Sequence, residues 1–130
     1  MNILLVDDDY LSINAFYEDL IEVYQYNVDW IKKVDNVIEM LENGDYNAIV
    51  LDIMMPVPDS WSQDERKKAQ LGILTGEVLL KKIRAKYPTK PILIYSSKPK
   101  FQTDEFTKHV RKPGATKQII ETLISLVAKP

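Results

Sequence analysis

Short apolar runs alternate along the chain with longer segments in which apolar residues recur every three or four positions. The clearest runs are residues 3–6, 47–51 and 91–95. Each is almost wholly apolar, which is typical of a strand buried on both faces of a sheet. Weaker strand signals occur at residues 27–31 and around Val110. The pattern therefore predicts five strands.

The segments between these runs have the spacing of amphipathic helices. The apolar stripe of residues 11–25 predicts the first helix, and we expect Asp35 to cap the second helix and Gly44 to end it. A further helix is predicted to end before Pro88, and the last one includes residues 119–127. This alternation predicts an α/β fold for a single domain, residues 1–130, with a doubly wound, mostly parallel sheet between helices on both faces.

The composition indicates an ordinary globular domain and excludes several classes of protein. Hydrophobic residues make up 45% and charged residues 28% of the chain, close to average soluble usage. The formal charge of -2 predicts no direct binding to nucleic acid or membrane. A chain with no cysteine and one histidine has no disulfide, and its metal sites must use carboxylates. With no signal-like start or long apolar stretch, we expect a cytoplasmic protein.

Candidate chemistry lies at the carboxyl ends of the strands, where ligands bind in open parallel sheets. The residues at these ends are polar: Asp7, Asp8 and Asp9 after strand one, Asp52 after strand three, Ser96 and Ser97 after strand four, and Lys112 after strand five. Carboxylates brought together repel one another unless a cation joins them, and oxygen ligands suit Mg²⁺. A hydroxyl and an ammonium group beside that ion favour phosphoryl transfer. We therefore predict Asp52 as the nucleophile.

These motifs together resemble the response-regulator receiver domain of two-component signal transduction, the CheY-like class. The resemblance rests on Val6-Asp7-Asp8, on Asp52 in LDIMMP, on Ser96 after PILIY and on Lys112-Pro113, and it spans nearly the whole chain. It implies a five-stranded, flavodoxin-like sheet with strand order 2-1-3-4-5. It also implies a cis peptide bond between Lys112 and Pro113.

The resemblance assigns a role to each matched residue. It implies that Asp8 binds Mg²⁺ directly, that Asp7 binds it largely through water, and that the backbone carbonyl of Met54 completes the protein ligands. Asp52 would be both a metal ligand and the phosphoryl acceptor. Ser96 and Lys112 would contact the phosphoryl group, with Ser96 moving toward it on activation.

The implied reaction is attack of the Asp52 carboxylate on a phosphohistidine of a sensor histidine kinase or a phosphotransfer protein. The resulting acyl phosphate would switch the conformation of a receiver that signals by contact with a downstream protein of unknown identity. The resemblance leaves open whether a homodimer forms. Turnover of a separate substrate is not implied.

The sequence departs from the family pattern in two places. Residues 57–74 form an insertion after strand three, in which Ser62-Gln63-Asp64-Glu65 fits a helix capping box. We expect either a solvated insertion or a functional lid. The segment from Lys98 to Thr107 is short, so the helix between strands four and five should be truncated. His109 falls where the family often has an aromatic switch residue.

Simpler interpretations and rival functions remain. Asp9 is expected to cap the first helix. A receiver fold that has lost switching and acts as a constitutive binding module is the main alternative. A phosphatase of the haloacid dehalogenase type is less favoured, because its Asp-x-Asp pattern would need an acid at Met54. Flavin or dinucleotide binding is disfavoured by the aspartates after strand one.

Overall fold

The computed structural model describes residues 1–98 and 103–129. One sheet of five parallel strands, in the order β2-β1-β3-β4-β5, forms its centre. The strands are β1 (Asn2–Val6), β2 (Asn27–Ile31), β3 (Ala48–Leu51), β4 (Ile92–Ser96) and β5 (Thr107–Arg111). The helices are α1 (Tyr10–Glu22), α2 (Val37–Asn43), α3 (Gln63–Lys68), α4 (Thr75–Lys86) and α5 (Thr116–Val127). The predicted fold class and strand order are confirmed.

Successive residues of β1 point into two separate cores, one on each face of the sheet. Ile3 and Leu5 belong to a core that α1 and α5 cover, whereas Leu4 and Val6 belong to a core that α2 and α4 cover. All four side chains are fully buried. Burial on both faces explains why the strands are apolar runs rather than alternating segments.

The helix boundaries agree with the sequence pattern at some ends and differ at others. Asp9 caps α1, as expected, because its carboxylate accepts a hydrogen bond from the Ser12 N–H. The helix ends at Glu22 rather than near Gln25, which has a positive φ of 57°. Asp35 was the wrong N-cap for α2: Asn36 is in that position and makes no side-chain capping bond.

The insertion contains the short helix α3, and its capping box is confirmed. Ser62 Oγ accepts from the Glu65 N–H, while the Glu65 carboxylate accepts from the Ser62 N–H. The segment packs against α4 through Lys82, whose ammonium pairs with Glu65 and lies 5.3 Å from the Trp61 ring centroid. The salt bridge and the capping bonds lower the pKa of Glu65 to about 2.

The connection between β4 and β5 is short, as expected. Its described residues, 97–98 and 103–106, include no helix. The rest of the predicted truncated helix, residues 99–102, lies outside the described residues. Among the helices of residues 1–98 and 103–129, none is long and apolar enough to cross a membrane.

Candidate functional site

The carboxyl ends of β1 and β3 bring three carboxylates together, as the strand pattern predicted. Asp7, Asp8 and Asp52 each offer one oxygen, and these oxygens all lie within 4.8 Å of one another. β1 and β3 are adjacent strands in matched register, with Val6 opposite Leu51. The residues that follow these two must therefore meet at the same edge of the sheet.

Asp52 lies at the bottom of this cluster and is only 7% exposed. Its Oδ1 accepts a hydrogen bond of 2.8 Å from the Ile53 N–H. Burial, together with the nearby charge of Asp7, raises its pKa to about 6, although Lys112 and the Ile53 N–H oppose that shift. The carboxylate is thus ionised at neutral pH, but in an environment that disfavours its charge.

Lys112 places its ammonium group between two of the carboxylates. The Nζ atom donates to Asp7 Oδ2 at 2.7 Å and lies 3.6 Å from Asp52 Oδ2. Burial opposes its charge, but the hydrogen bond to Asp7 and the charges of Asp52 and Asp7 outweigh burial and raise its pKa. The bond from Lys112 to Pro113 is cis, as expected.

Asp7 is buried and held at three points. Its carboxylate accepts from Lys112 and from the Asp9 N–H, and its carbonyl oxygen accepts from the Trp30 indole N–H at 2.9 Å. Burial raises the pKa of this carboxyl group, and the two hydrogen bonds to the carboxylate only partly oppose the shift. The position of Asp7 is therefore fixed before any cation binds.

The residues present fit a Mg²⁺ ion. Three carboxylates, two of them buried, share one small region with the Lys112 ammonium group, and Mg²⁺ takes oxygen ligands of this kind. Met54 lies at the mouth of the cleft. Its carbonyl as a further ligand stays a prediction.

The cluster opens into a cleft of about 440 Å³. Its lining residues are Asp8, Asp9, Ser12, Asp52, Met54, Tyr95, Ser97, Lys112 and Pro113. The insertion, residues 57–74, contributes no lining residue. A lid over the cleft is therefore absent from this conformation of the described residues.

The two serines at the end of β4 differ in position. Ser97 lines the cleft, whereas Ser96 is 1% exposed and its hydroxyl accepts from the Lys98 N–H at 3.3 Å. The Ser96 carbonyl accepts from the Lys112 N–H and lies 3.3 Å from His109 Nε2. Ser96 is therefore beside the cleft rather than in its wall, and His109 contacts the same residue.

Two further residues of the site were missed by the sequence analysis. Ser12 lines the cleft, and its hydroxyl lies 3.5 Å from the Lys112 ammonium. Tyr95 presents its ring 5.4 Å from the same ammonium, and its hydroxyl accepts from the Gly114 N–H. Ser12 lies in α1 and Tyr95 in the apolar strand β4. Their contacts with Lys112 depend on how these elements are arranged around the end of β5.

Comparison with known proteins identifies the fold. No family model matches the sequence, and no curated protein matches it. Among solved structures, the receiver domain of the Francisella response regulator 1452 is 20% identical, with 97% of this chain and 95% of that chain covered and a TM-score of 0.70. A CheY-like receiver domain protein from Methanospirillum hungatei JF-1 is 18% identical, with 97% and 92% covered and a TM-score of 0.70.

A third similar structure carries a metal ion. It is the receiver domain of the sensor histidine kinase PA1611 from Pseudomonas aeruginosa PAO1, with magnesium coordinated in its active site cleft. Its sequence is 20% identical to this chain, the match covers 98% of each chain, and the TM-score is 0.72. The chain thus has the CheY-like fold of response-regulator receiver domains over nearly its whole length.

Proposed function

We propose that this protein is a two-component response-regulator receiver that accepts a phosphoryl group on Asp52 and signals by a change of conformation. The observation that carries the proposal is the juxtaposition of Asp52 with Asp7, Asp8 and Lys112 at the carboxyl edge of the sheet. The receiver fold of the structural relatives supports the same role. We place the reaction in the cytoplasm.

The nucleophile is the Asp52 carboxylate, because its pKa of about 6 leaves it ionised at neutral pH. One of its oxygens attacks the phosphorus atom of a phosphohistidine on a sensor histidine kinase or phosphotransfer protein. The new P–O bond forms as the P–N bond breaks. The leaving imidazole keeps the electron pair and takes up one proton, and Asp52 becomes an acyl phosphate.

Mg²⁺, held by Asp7, Asp8 and Asp52, would supply positive charge to the phosphoryl oxygens. Lys112 adds its own charge from its position between Asp7 and Asp52, and its raised pKa keeps it protonated at every physiological pH. The Ser97 and Ser12 hydroxyls lie in the cleft wall. These two hydroxyls are in place before the donor arrives.

Phosphorylation adds negative charge beside Lys112, which now bonds to Asp7. We propose that Lys112 turns toward the phosphoryl group and that Ser96 leaves its bond to the Lys98 N–H to follow it. His109 contacts the Ser96 carbonyl, so this movement reaches β5. The downstream partner is a protein that recognises the altered surface. None of the described contacts favours a constitutive binding module instead.

Chemical trapping tests which residue accepts the phosphoryl group. The protein is incubated with Mg²⁺ and phosphoramidate, reduced with borohydride and digested, and the peptides are identified by mass spectrometry. Borohydride converts an aspartyl phosphate to homoserine, so we expect homoserine at position 52. Asp8→Asn serves as the control for loss of a metal ligand with the acceptor kept. Homoserine at another aspartate would contradict the assignment of Asp52.

A further inference from the structure

The last residues of the insertion form an exposed apolar edge beside the cleft. Leu71 is 99% exposed and Ile73 is 52% exposed, while Met54, at the mouth of the cleft, is 56% exposed. We name these three residues the apolar edge. An exposed leucine contributes nothing to the stability of the isolated fold, and clustered apolar exposure marks interaction sites.

The apolar edge is attached to the acceptor loop through the backbone. The Gly72 carbonyl accepts a hydrogen bond of 3.1 Å from the Met55 N–H, and the buried Thr75 hydroxyl donates to the Met55 carbonyl. Met55 is therefore held on both sides by the end of the insertion. These bonds join the chain beside Met54 to the segment that carries Leu71 and Ile73.

The backbone that presents Leu71 is unusual. Gln70 and Leu71 have φ values of 50° and 57°, and Gly72 has a φ of 102°. Residues with a Cβ atom disfavour this left-handed region, and such conformations concentrate where a segment binds a ligand or partner. At Gly72 a Cβ would lie 3.0 Å from the Met55 carbonyl oxygen, so glycine is needed there. The conformation turns the Leu71 side chain into solvent.

The surroundings of Leu71 complete the anatomy of a small interface. Leu71 shares a shallow recess with Gln63, Asp64, Arg66 and Lys67 of α3. An apolar centre with a polar and charged rim is the usual arrangement of a protein-binding patch. The pairing of Lys82 with Glu65 and Trp61 holds α3 in place.

We propose that the apolar edge is a recognition surface for the protein that donates the phosphoryl group to Asp52. This inference rests on the proposed function. Any protein donor must cover the mouth of the cleft, and Met54 belongs both to that mouth and to the edge. A donor seated over Asp52 and Met54 therefore lies beside the segment that carries Leu71 and Ile73, because that segment is bonded to Met55. A small donor such as acetyl phosphate enters the cleft without touching them.

The test compares a protein donor with a small donor. The autophosphorylated cytoplasmic parts of the source organism's histidine kinases are profiled, and the one that labels the wild-type protein fastest is used. The variant is Leu71→Asn with Ile73→Thr. Asparagine accepts the left-handed conformation better than leucine, so the fold should be kept. Val23→Thr is the matched control, because Val23 is 68% exposed and follows α1 at the opposite edge of the sheet.

We expect the double variant to lose about tenfold or more in the second-order rate constant of transfer from the kinase. Its labelling by acetyl phosphate should stay within about twofold of wild type, as should both rates of Val23→Thr. Leu71→Gly, which also accepts the backbone conformation, should slow the kinase reaction alone. Circular dichroism and chemical denaturation confirm that each variant is folded.

Three results would overturn the proposal: unchanged transfer from the kinase, an equal loss with both donors, or a wild-type protein that acetyl phosphate labels but no kinase does. An equal loss would mean that the edge shapes the cleft instead of binding the donor. Failure of the proposed function is distinct, because the wild-type protein would then accept phosphoryl groups from neither donor.

Discussion

Replacing Asp52 with asparagine should make the metal-free protein more stable. The carboxylate is buried beside Asp7, and these two causes raise its pKa from 3.8 to about 6. The folded state therefore holds the ionised form at a cost, which Lys112 only partly offsets. Asparagine has nearly the same shape, carries no charge and keeps an oxygen to accept the Ile53 N–H.

The size of the effect follows from the shift in pKa. A difference of about 2 units at about 1.4 kcal/mol each gives about 3 kcal/mol at pH 7.5, where the carboxylate is ionised in both states. Relaxation of the site lowers this figure, so we expect a gain of about 1–3 kcal/mol in the free energy of unfolding. The net shift already includes the attraction to Lys112.

The gain should depend on pH with a definite sign. A carboxyl group with a raised pKa binds more protons in the folded than in the unfolded state, so the wild-type protein recovers stability as pH falls through 6 toward 3.8. The advantage of Asp52→Asn should therefore fall by about half between pH 7.5 and 5. Excess Mg²⁺ should reduce the advantage at pH 7.5, because the ion binds the folded wild-type protein.

Urea denaturation of both proteins in EDTA at pH 7.5 and 5.0 measures these differences. Asp8→Asn is the matched control, since the exposed Asp8 side chain is screened by solvent and its replacement should change stability by about 0.5 kcal/mol or less. An Asp52→Asn protein no more stable than wild type at pH 7.5 would refute the reasoning. A gain that is the same at both pH values would also refute it.

Three further predictions concern the neighbourhood of Asp52. Gly76→Ala should lower the free energy of unfolding by about 2 kcal/mol or more, because the new Cβ would lie 2.2 Å from the Asp52 carbonyl oxygen; a loss below about 1 kcal/mol in urea denaturation would contradict this. Lys112→Ala should still accept a phosphoryl group but fail to switch. On adding beryllofluoride, the NMR signal of Ser96 should therefore shift less in this variant than in the wild-type protein. A shift as large as that of the wild-type protein would contradict the prediction. The apparent affinity for Mg²⁺ should fall about tenfold from pH 7.5 to 5.0 because protons compete for Asp52, whose pKa is about 6; equal affinities by calorimetry would contradict it.

The fold and the acidic cluster could be predicted because they depend on local signals. A strand buried on both faces must be an apolar run, and parallel strands bring their carboxyl ends to one edge. Asp7, Asp8 and Asp52 therefore meet because β1 and β3 are adjacent strands. Lys112 follows β5, which β4 separates from β3, and its long side chain reaches Asp7 and Asp52 at the same edge of the sheet. The capping box of α3 is equally local, since its hydrogen bonds span three residues.

Other features depend on contacts that the local sequence does not encode. Asp35 and Asn36 are both residue types that favour the N-cap, so the local sequence does not decide which of them precedes α2. The bond from the Trp30 indole to the Asp7 carbonyl joins two residues that are 23 positions apart in sequence. Whether Ser96 or Ser97 faces the cleft depends on the direction of each side chain at the end of β4. A run of two serines cannot reveal it.

The most direct test of the central claim is intact-protein mass spectrometry after incubation with acetyl phosphate, with and without Mg²⁺. Wild-type protein and Asp52→Asn are treated side by side. We predict a single phosphoryl adduct that requires Mg²⁺, forms on the wild-type protein and is absent from Asp52→Asn. An adduct that persists in Asp52→Asn, or a folded, Mg²⁺-binding wild-type protein that forms none, would contradict the account.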